Sequence, residues 1–469
     1  MGDTHMTLGV IVGNRGFFPD MLAREGRDEI SRALERAGLK CIALSPEQTK
    51  YGSVETYEDA KKCADLFRSH RERIDGIIVT LPNFGDESAV ADALRLSELR
   101  VPVLVQATPD TSGRMSVEHR RDSFCGKISV CNNLKQYRIP FSLTRQHTVH
   151  PESDEFAADL EQFAAICRVV KGVRNLRIGC IGARPAAFKT VRYSERILEA
   201  HGVSVETIDL SDVLGRIGGL SDKQESVQAN VLDLREYVPT SVPEPSLVKM
   251  AKLAVVVRAW MRSAGVTISA IQCWTALQQY LGVMPCTVMS MLSQQLLSSA
   301  CETDVCGALS MHLLALASQT PSALLDWNNN YGDAADKVVF FHCSNLPKHF
   351  IEEARMHHSD ILANTLGRDC AHGTVAGRIK AGRMTFARVS TDEGTGLIRG
   401  YVGAGAFTAD RLDTFGGAGV AQIPRLQQLL RYICEQGFEH HAAASLSAVA
   451  DAVKEATTRY LGWDVRLHE

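Results

Sequence analysis

Leu8-Gly-Val-Ile-Val12, the amphipathic stretch from Met21 to Ala37, and Cys41-Ile-Ala-Leu44 decide the fold class. The two short runs are almost continuously apolar, as strands covered on both faces are, and Leu22, Ile30 and Leu34 between them mark the inward side of a helix. Gly76-Ile-Ile-Val-Thr-Leu81 and Val103-Leu-Val105 follow at comparable intervals. This alternation predicts a parallel sheet covered by helices over residues 1–150.

Outward from there, the chain turns polar between His147 and Glu155, and Phe156, Leu160, Phe163 and Cys167 then repeat as one helical face. Leu176-Arg-Ile-Gly-Cys-Ile181, a turn with Gly182 and Pro185, a helix through Leu198, and a strand from Val203 to Leu210 open a second unit, 151–336. After Lys337 the pattern changes: Gly373 to Ala406 is glycine-rich with period-two runs such as Met384-Thr-Phe-Ala-Arg-Val389, which predict antiparallel strands. The expected fold is α/β: two doubly wound, Rossmann-like parallel-sheet domains, then a β-rich, barrel-like domain over 337–469. Helices at Arg425 to Glu435 and Ser447 to Leu461 close it.

With 469 residues, 45% hydrophobic and 22% charged, the chain is neither fibrous nor disordered, and it exceeds a single compact core. Lys plus Arg (51) nearly balance Asp plus Glu (54) without a basic block, so nucleic acid is not an expected partner. The thirteen cysteines are odd in number and form no CxxC pair, which predicts reduced thiols in the cytoplasm. The opening MGDTHMTLGVIVGNRGFF has no secretory pattern. The uncharged run from Ser263 to Cys301 is interrupted by Gln272, Gln278, Gln279, Pro285, Gln294 and Gln295, so it predicts protein interior and no membrane contact.

Charge scarcity is the informative feature. From Ser263 through Leu325 there is no Lys or Arg and the only carboxylates are those of Glu302 and Asp304, and Asp326 follows at once. A carboxylate in apolar sequence needs a partner, because burying it unpaired is costly. One reading makes Glu302 and Asp304 the cap of a helix through Leu309 and Leu313; the other makes them functional. Gly179-Cys-Ile-Gly-Ala-Arg-Pro185 fits no phosphate-loop pattern, Gly416-Gly-Ala-Gly419 is followed by no long helix, and no Gly-X-Ser-X-Gly elbow occurs. His357-His358 is expected to face solvent on a loop or helix.

Five segments in order resemble the L-fucose and L-arabinose isomerase family: Val12-Gly-Asn-Arg-Gly16, Ala270-Ile-Gln-Cys273, Cys301-Glu-Thr-Asp-Val-Cys306, Leu324-Leu-Asp-Trp-Asn-Asn329 and Glu439-His-His-Ala442. The resemblance spans essentially the whole chain. It implies that Glu302 and Asp326 match the family's two metal-binding acids and that His441 matches its late metal-binding histidine, with His440 beside it as a decoy. It further implies a divalent metal, manganese by family habit, and a reaction that moves a proton between C1 and C2 of a sugar through an enediol. Glu302 and Asp326 would then act as acid and base.

For His342, the resemblance implies a place in the site wall, against the alternative of a satisfied core histidine. Arg15 is either a surface arginine or, as in hexameric relatives, a sugar ligand for a neighbouring subunit. Gln272 either points into a crevice at a carboxyl edge or is a buried amide. The stretch from Lys337 onward is shorter than in authentic fucose isomerases, which opens the substrate to a sulfonated hexose, sulfoquinovose, with Arg15, Arg184 or Lys189 on the sulfonate. A non-catalytic sugar-binding protein is the alternative of another class; a nicotinamide oxidoreductase lacks its fingerprint.

Overall fold

A computed structural model describes residues 6–343 and 345–469; residues 1–5, on which the reading of the N-terminus partly rests, lie outside it. The chain folds as two compact units, Met1–Lys171 with Arg459–Leu461, and Gly172–Thr458 with Gly462–Glu469.

In the first unit, strands β1 (Thr7–Val12), β2 (Lys40–Ala43), β3 (Gly76–Leu81), β4 (Val103–Ala107) and β5 (Ser142–Leu143) form a wholly parallel sheet in the order β2-β1-β3-β4-β5. The continuous apolar runs have the predicted cause. Alternate residues point to opposite faces, and both faces are covered. Leu8, Val10, Ile78 and Leu104 pack with Ile30 and Leu34 of the helix Asp20–Arg36 and with Phe156 and Phe163 of the helix Asp154–Val173. Ile11, Ile77, Val79 and Val105 pack with Phe67 of the helix Tyr57–Ser69 and with Val90 and Leu134. Each such buried side chain contributes about 1.5–3 kcal/mol of transfer free energy. The Tyr460 hydroxyl ties the late segment to this unit, 2.8 Å from Ser142 Oγ and donating to the Val103 carbonyl at 3.1 Å.

The second unit holds two sheets. Strands β6 (Leu176–Ile181), β7 (Val203–Ile208), β8 (Ile268–Ile271) and β9 (Ser299–Ala300) are parallel, in the order β7-β6-β8-β9. Strands β10 (Ser322–Asn330), β11 (Lys337–His342), β12 (Ile351–His358), β13 (His372–Ile379), β14 (Gly382–Asp392), β15 (Leu397–Phe407), β16 (Gly417–Gln422), β17 (His441–Ser445) and β18 (Asp464–His468) form a large mixed sheet. Because β15 also pairs with β16, the ring β16-β11-β10-β17-β14-β15 closes on itself into a barrel. Leu325, Phe340, Phe386, Tyr401, Phe407, Ala442 and Ala444 belong to its core. The expected fold class, parallel α/β sheets followed by a β-rich barrel, is the one observed.

The charge-free run has a physical explanation. The helix Val305–Ser318 is buried on nearly every side, so no face of it is free for charge. One local expectation is corrected, and one local propensity is overridden. His357 and His358 lie at the end of β12, with His358 opposite His372 on β13, half-buried rather than on a solvent-facing loop or helix. The segment opened by the histidine pair is a strand: Ala442, Ala443 and Ala444 are fully buried in β17 between β10 and β14, so tertiary pairing overrides alanine's helix propensity.

Candidate functional site

The carboxyl ends of β8 and β9 provide one wall. Cys273 and Trp274 follow β8, and Glu302 follows β9 in a turn where Glu302 (φ 54°) and Thr303 (φ 53°) are both left-handed. Such geometry costs about 1–2 kcal/mol per residue. It is held by backbone hydrogen bonds from Thr303 to Ile271 O (3.2 Å) and from Asp304 to Cys301 O (2.9 Å). Asp304 then caps the helix Val305–Ser318, accepting from Gly307 N at 2.8 Å. The capping reading of Asp304 is therefore right, but incomplete.

The barrel strands provide the facing wall. Asp326 on β10 and His441 on β17 are direct cross-strand partners, His342 ends β11, and Arg388 lies on β14. His441 Nε2 lies 3.8 Å from Glu302 Oε2 and 3.5 Å from Asp326 Oδ1. Glu302, His342 and His441 offer ligand atoms all within 4.8 Å of one another, and so do Asp326, His440 and His441. The structure thus brings together Glu302, Asp326, His441 and His342. His440 is not remote either, its Nε2 being 3.7 Å from Asp326.

Glu302 is asymmetric. Oε1 accepts from the Trp274 indole at 3.0 Å and from the Cys273 thiol at 3.3 Å, whereas Oε2 is buried with no hydrogen-bond partner among the described residues. A buried, unmatched carboxylate oxygen beside a second carboxylate and two imidazoles fits a divalent cation of hard or borderline character. The histidine is oriented from behind: its Nδ1 lies 2.8 Å from Asp304 Oδ2, so the ring's Nε2 faces the carboxylates.

Asp304 in turn takes both arms of the Arg388 guanidinium (2.5 and 3.0 Å), and Arg388 also pairs with Glu439 at 3.0 Å. Glu439 accepts from the Ser390 hydroxyl as well. Asp304 and Arg388 have no solvent exposure. Burial alone would raise the Asp304 pKa, but Arg388 and His441 more than offset it and hold the carboxyl well below the usual carboxylate range. Burial would likewise lower that of His441, yet the bond to Asp304 and the charges of Asp304, Glu302 and Asp326 leave it raised.

Aromatic side chains flank the cluster on one side. Phe188, on the loop after β6, has its ring centroid 5.4 Å from Trp274, 5.5 Å from His440 and 6.1 Å from His441. Gln272 is half-buried and its Oε1 accepts from Ala183 N at 2.9 Å, so it holds that loop's turn. Arg15 belongs to the first unit, where it donates to Gly85 O at 3.1 Å, pairs with Glu87 and stacks 4.3 Å over Phe84. Sequence reasoning missed Phe188, Trp274, Glu439 and Arg388. The last left a trace: in the period-two run it shares a face with Met384 and Phe386, where an arginine demands a partner.

Residues 9–174 match the family model for the fucose/sulfoquinovose isomerase N-terminal domain, and residues 340–469 that for the L-fucose isomerase C-terminal domain. A sulfoquinovose isomerase of Alkalicoccus urumqiensis is 26% identical over 394 residues, 81% of this chain and 83% of that protein. One of Priestia aryabhattai is 22% identical over 64% of each chain. Another, from Clostridium sp. (strain MSTE9), is 21% identical over 41% of this chain and 43% of its own. With its α/β sheets and terminal barrel matched at both ends, the chain is a divergent member of the L-fucose isomerase family and an aldose–ketose isomerase.

Proposed function

We propose that this isomerase works with a divalent cation, Mn²⁺, held by Glu302, Asp326 and His441, and that its substrate is a sulfonated hexose of the sulfoquinovose type. The observation that carries the metal reading is Glu302 Oε2, a buried carboxylate oxygen with no hydrogen-bond partner among the described residues, 3.8 Å from His441 Nε2. When bound, the ion supplies Lewis acidity to neighbouring sugar oxygens.

The chain's own residues supply the rest. Asp304 keeps the His441 proton on Nδ1, so Nε2 offers its lone pair to the site. Glu302 and Asp326 are the carboxylates placed to take a proton from one sugar carbon and return it to the next, and His342 completes the polar wall. Phe188 and Trp274 exclude water from the exchanging proton.

The sulfonate reading rests on the relatives' names and on Arg184 and Lys189, which flank Phe188 on the same loop. Gln272 positions that loop and so acts on the sugar indirectly. We further read the chain as three functional segments, 1–150, 151–336 and 337–469, and the enzyme as a cytoplasmic hexamer in which Arg15 completes a neighbour's site. Thirteen free cysteines suit a reducing compartment. Phe17 (81% exposed) and Val117 (85%) give the first unit apolar surface for a second copy. Among the described residues no helix is long and apolar enough to cross a membrane.

The experiment is an assay of sulfoquinovose, L-fucose and L-arabinose with protein stripped by chelator and then resupplied with Mn²⁺. Activity should vanish, return with the ion and favour the sulfosugar. Full activity after stripping overturns the metal reading. Ketose formation by Glu302→Gln at the wild-type rate overturns the site.

A further inference from the structure

Glu302 lies between two donor sets of opposite chemical character. On its Oε2 side are imidazole and carboxylate groups; on its Oε1 side are thiols. Cys273, Cys301 and Glu302 offer ligand atoms all within 4.8 Å of one another, and all three residues are buried. The Cys286 thiol is a close neighbour of that of Cys301. These thiols, at positions 273, 286 and 301, are brought together by the ends of β8 and β9 and the start of the helix Cys286–Gln294.

We propose that Cys273, Cys301 and Glu302 form a second cation site, specific for thiophilic ions such as Zn²⁺ and Cd²⁺. Two sulfurs and a carboxylate suit such ions and not Mn²⁺, which prefers oxygen and imidazole. The spacing fits: two thiolates on one tetrahedral zinc are about 3.7 Å apart, given a metal–sulfur bond of about 2.3 Å. Cys286 is the nearest candidate for the fourth position. Binding exchanges the protons of the two coordinating thiols for the cation, and both protons leave to solvent. A cation there claims Glu302 Oε1 and draws the carboxylate from the histidine side, so it inhibits without occupying the Mn²⁺ position. That consequence rests on the isomerase reading; the site itself does not.

The test is a Cd²⁺ titration of the metal-stripped full chain, with thiols kept reduced and no sugar present. The first equivalent should give a thiolate-to-cadmium charge-transfer band in the ultraviolet, and X-ray absorption at the metal edge of the wild-type protein should show sulfur neighbours. Cys273→Ser and Cys301→Ser should each remove most of that band, and Cys63→Ser, which alters a buried thiol of the first unit, should leave it unchanged. Only oxygen and nitrogen around the first equivalent of cadmium, or an undiminished band in the Cys273→Ser/Cys301→Ser double variant, overturns the proposal. A sulfur-bound cadmium in a protein that isomerises no sugar overturns the isomerase reading and leaves this site standing.

Discussion

His441 Nδ1 lies 2.8 Å from Asp304 Oδ2, although 137 positions of sequence separate the two residues. The bond ties the barrel to the turn that carries Glu302. It also fixes which imidazole nitrogen is available to a cation. Replacing Asp304 by Asn keeps the helix cap, since Asn caps as well as Asp, but removes the charge that orients the ring. We expect Asp304→Asn to weaken Mn²⁺ binding by about 10–100-fold, as outer partners of metal ligands do. Electron paramagnetic resonance of free Mn²⁺ checks this without a sugar; unaltered affinity would mean that the ring is held by other contacts.

Gly307 offers a test of opposite sign to the usual one. Glycine to alanine inside a helix ordinarily stabilises by about 1 kcal/mol. Here an added Cβ would sit 2.7 Å from Asp304 Cγ and 3.0 Å from Leu324 Cδ1. Gly307→Ala should therefore lower the urea midpoint and weaken Mn²⁺ binding together. A raised midpoint would show that Asp304 can move without penalty.

Arg388 neutralises two buried acids at once. Arg388→Met leaves Asp304 and Glu439 without their cation, a change that costs about 3–5 kcal/mol in comparable buried pairs. Arg388→Lys restores charge but not the two-pronged fork, so intermediate stability is expected. Denaturant unfolding followed by circular dichroism ranks the three proteins. Equal stability of Met and wild type would contradict an ionised pair.

His312, 4% exposed in the helix Val305–Ser318, has its pKa pulled down to about 4 by burial, with a backbone bond to Gly172 only partly opposing this. The unfolded chain takes up this proton at an ordinary histidine pKa of about 6.5, so it holds more protons than the folded chain between the two values. Stability must therefore fall as pH drops from about 6.5 towards 4, by roughly 3 kcal/mol from this group alone. His312→Gln should remove that slope. Identical pH dependence in the two proteins would contradict a neutral buried ring.

The legible parts of the molecule were those whose cause is local. The apolar runs at Leu8–Val12 and Gly76–Leu81 are strands because both their faces are covered, and that requirement is written into each run by itself. The acids Glu302 and Asp326 stood out because the helix beside them has no room for charge. The ion-pair network was not legible: Arg388 finds Asp304 across 84 positions and Glu439 across 51. Pairings of that kind exist only once the barrel has closed. The near neighbours of Asp304 reveal only its cap on Gly307, while Arg388 is invisible from them. The alanines after His441 have local propensity for helix, and only the strands on either side make them a strand.

Asp326 faces His441 in the pairing of β10 with β17, on the opposite pleat face from Leu325 and Ala442 of the core. A shift of one residue along that ladder would carry the imidazole to the wrong side of the strand. Register and site are therefore one property: a ring closed one residue out of step would leave the His441 imidazole turned away from Asp326 and Glu302.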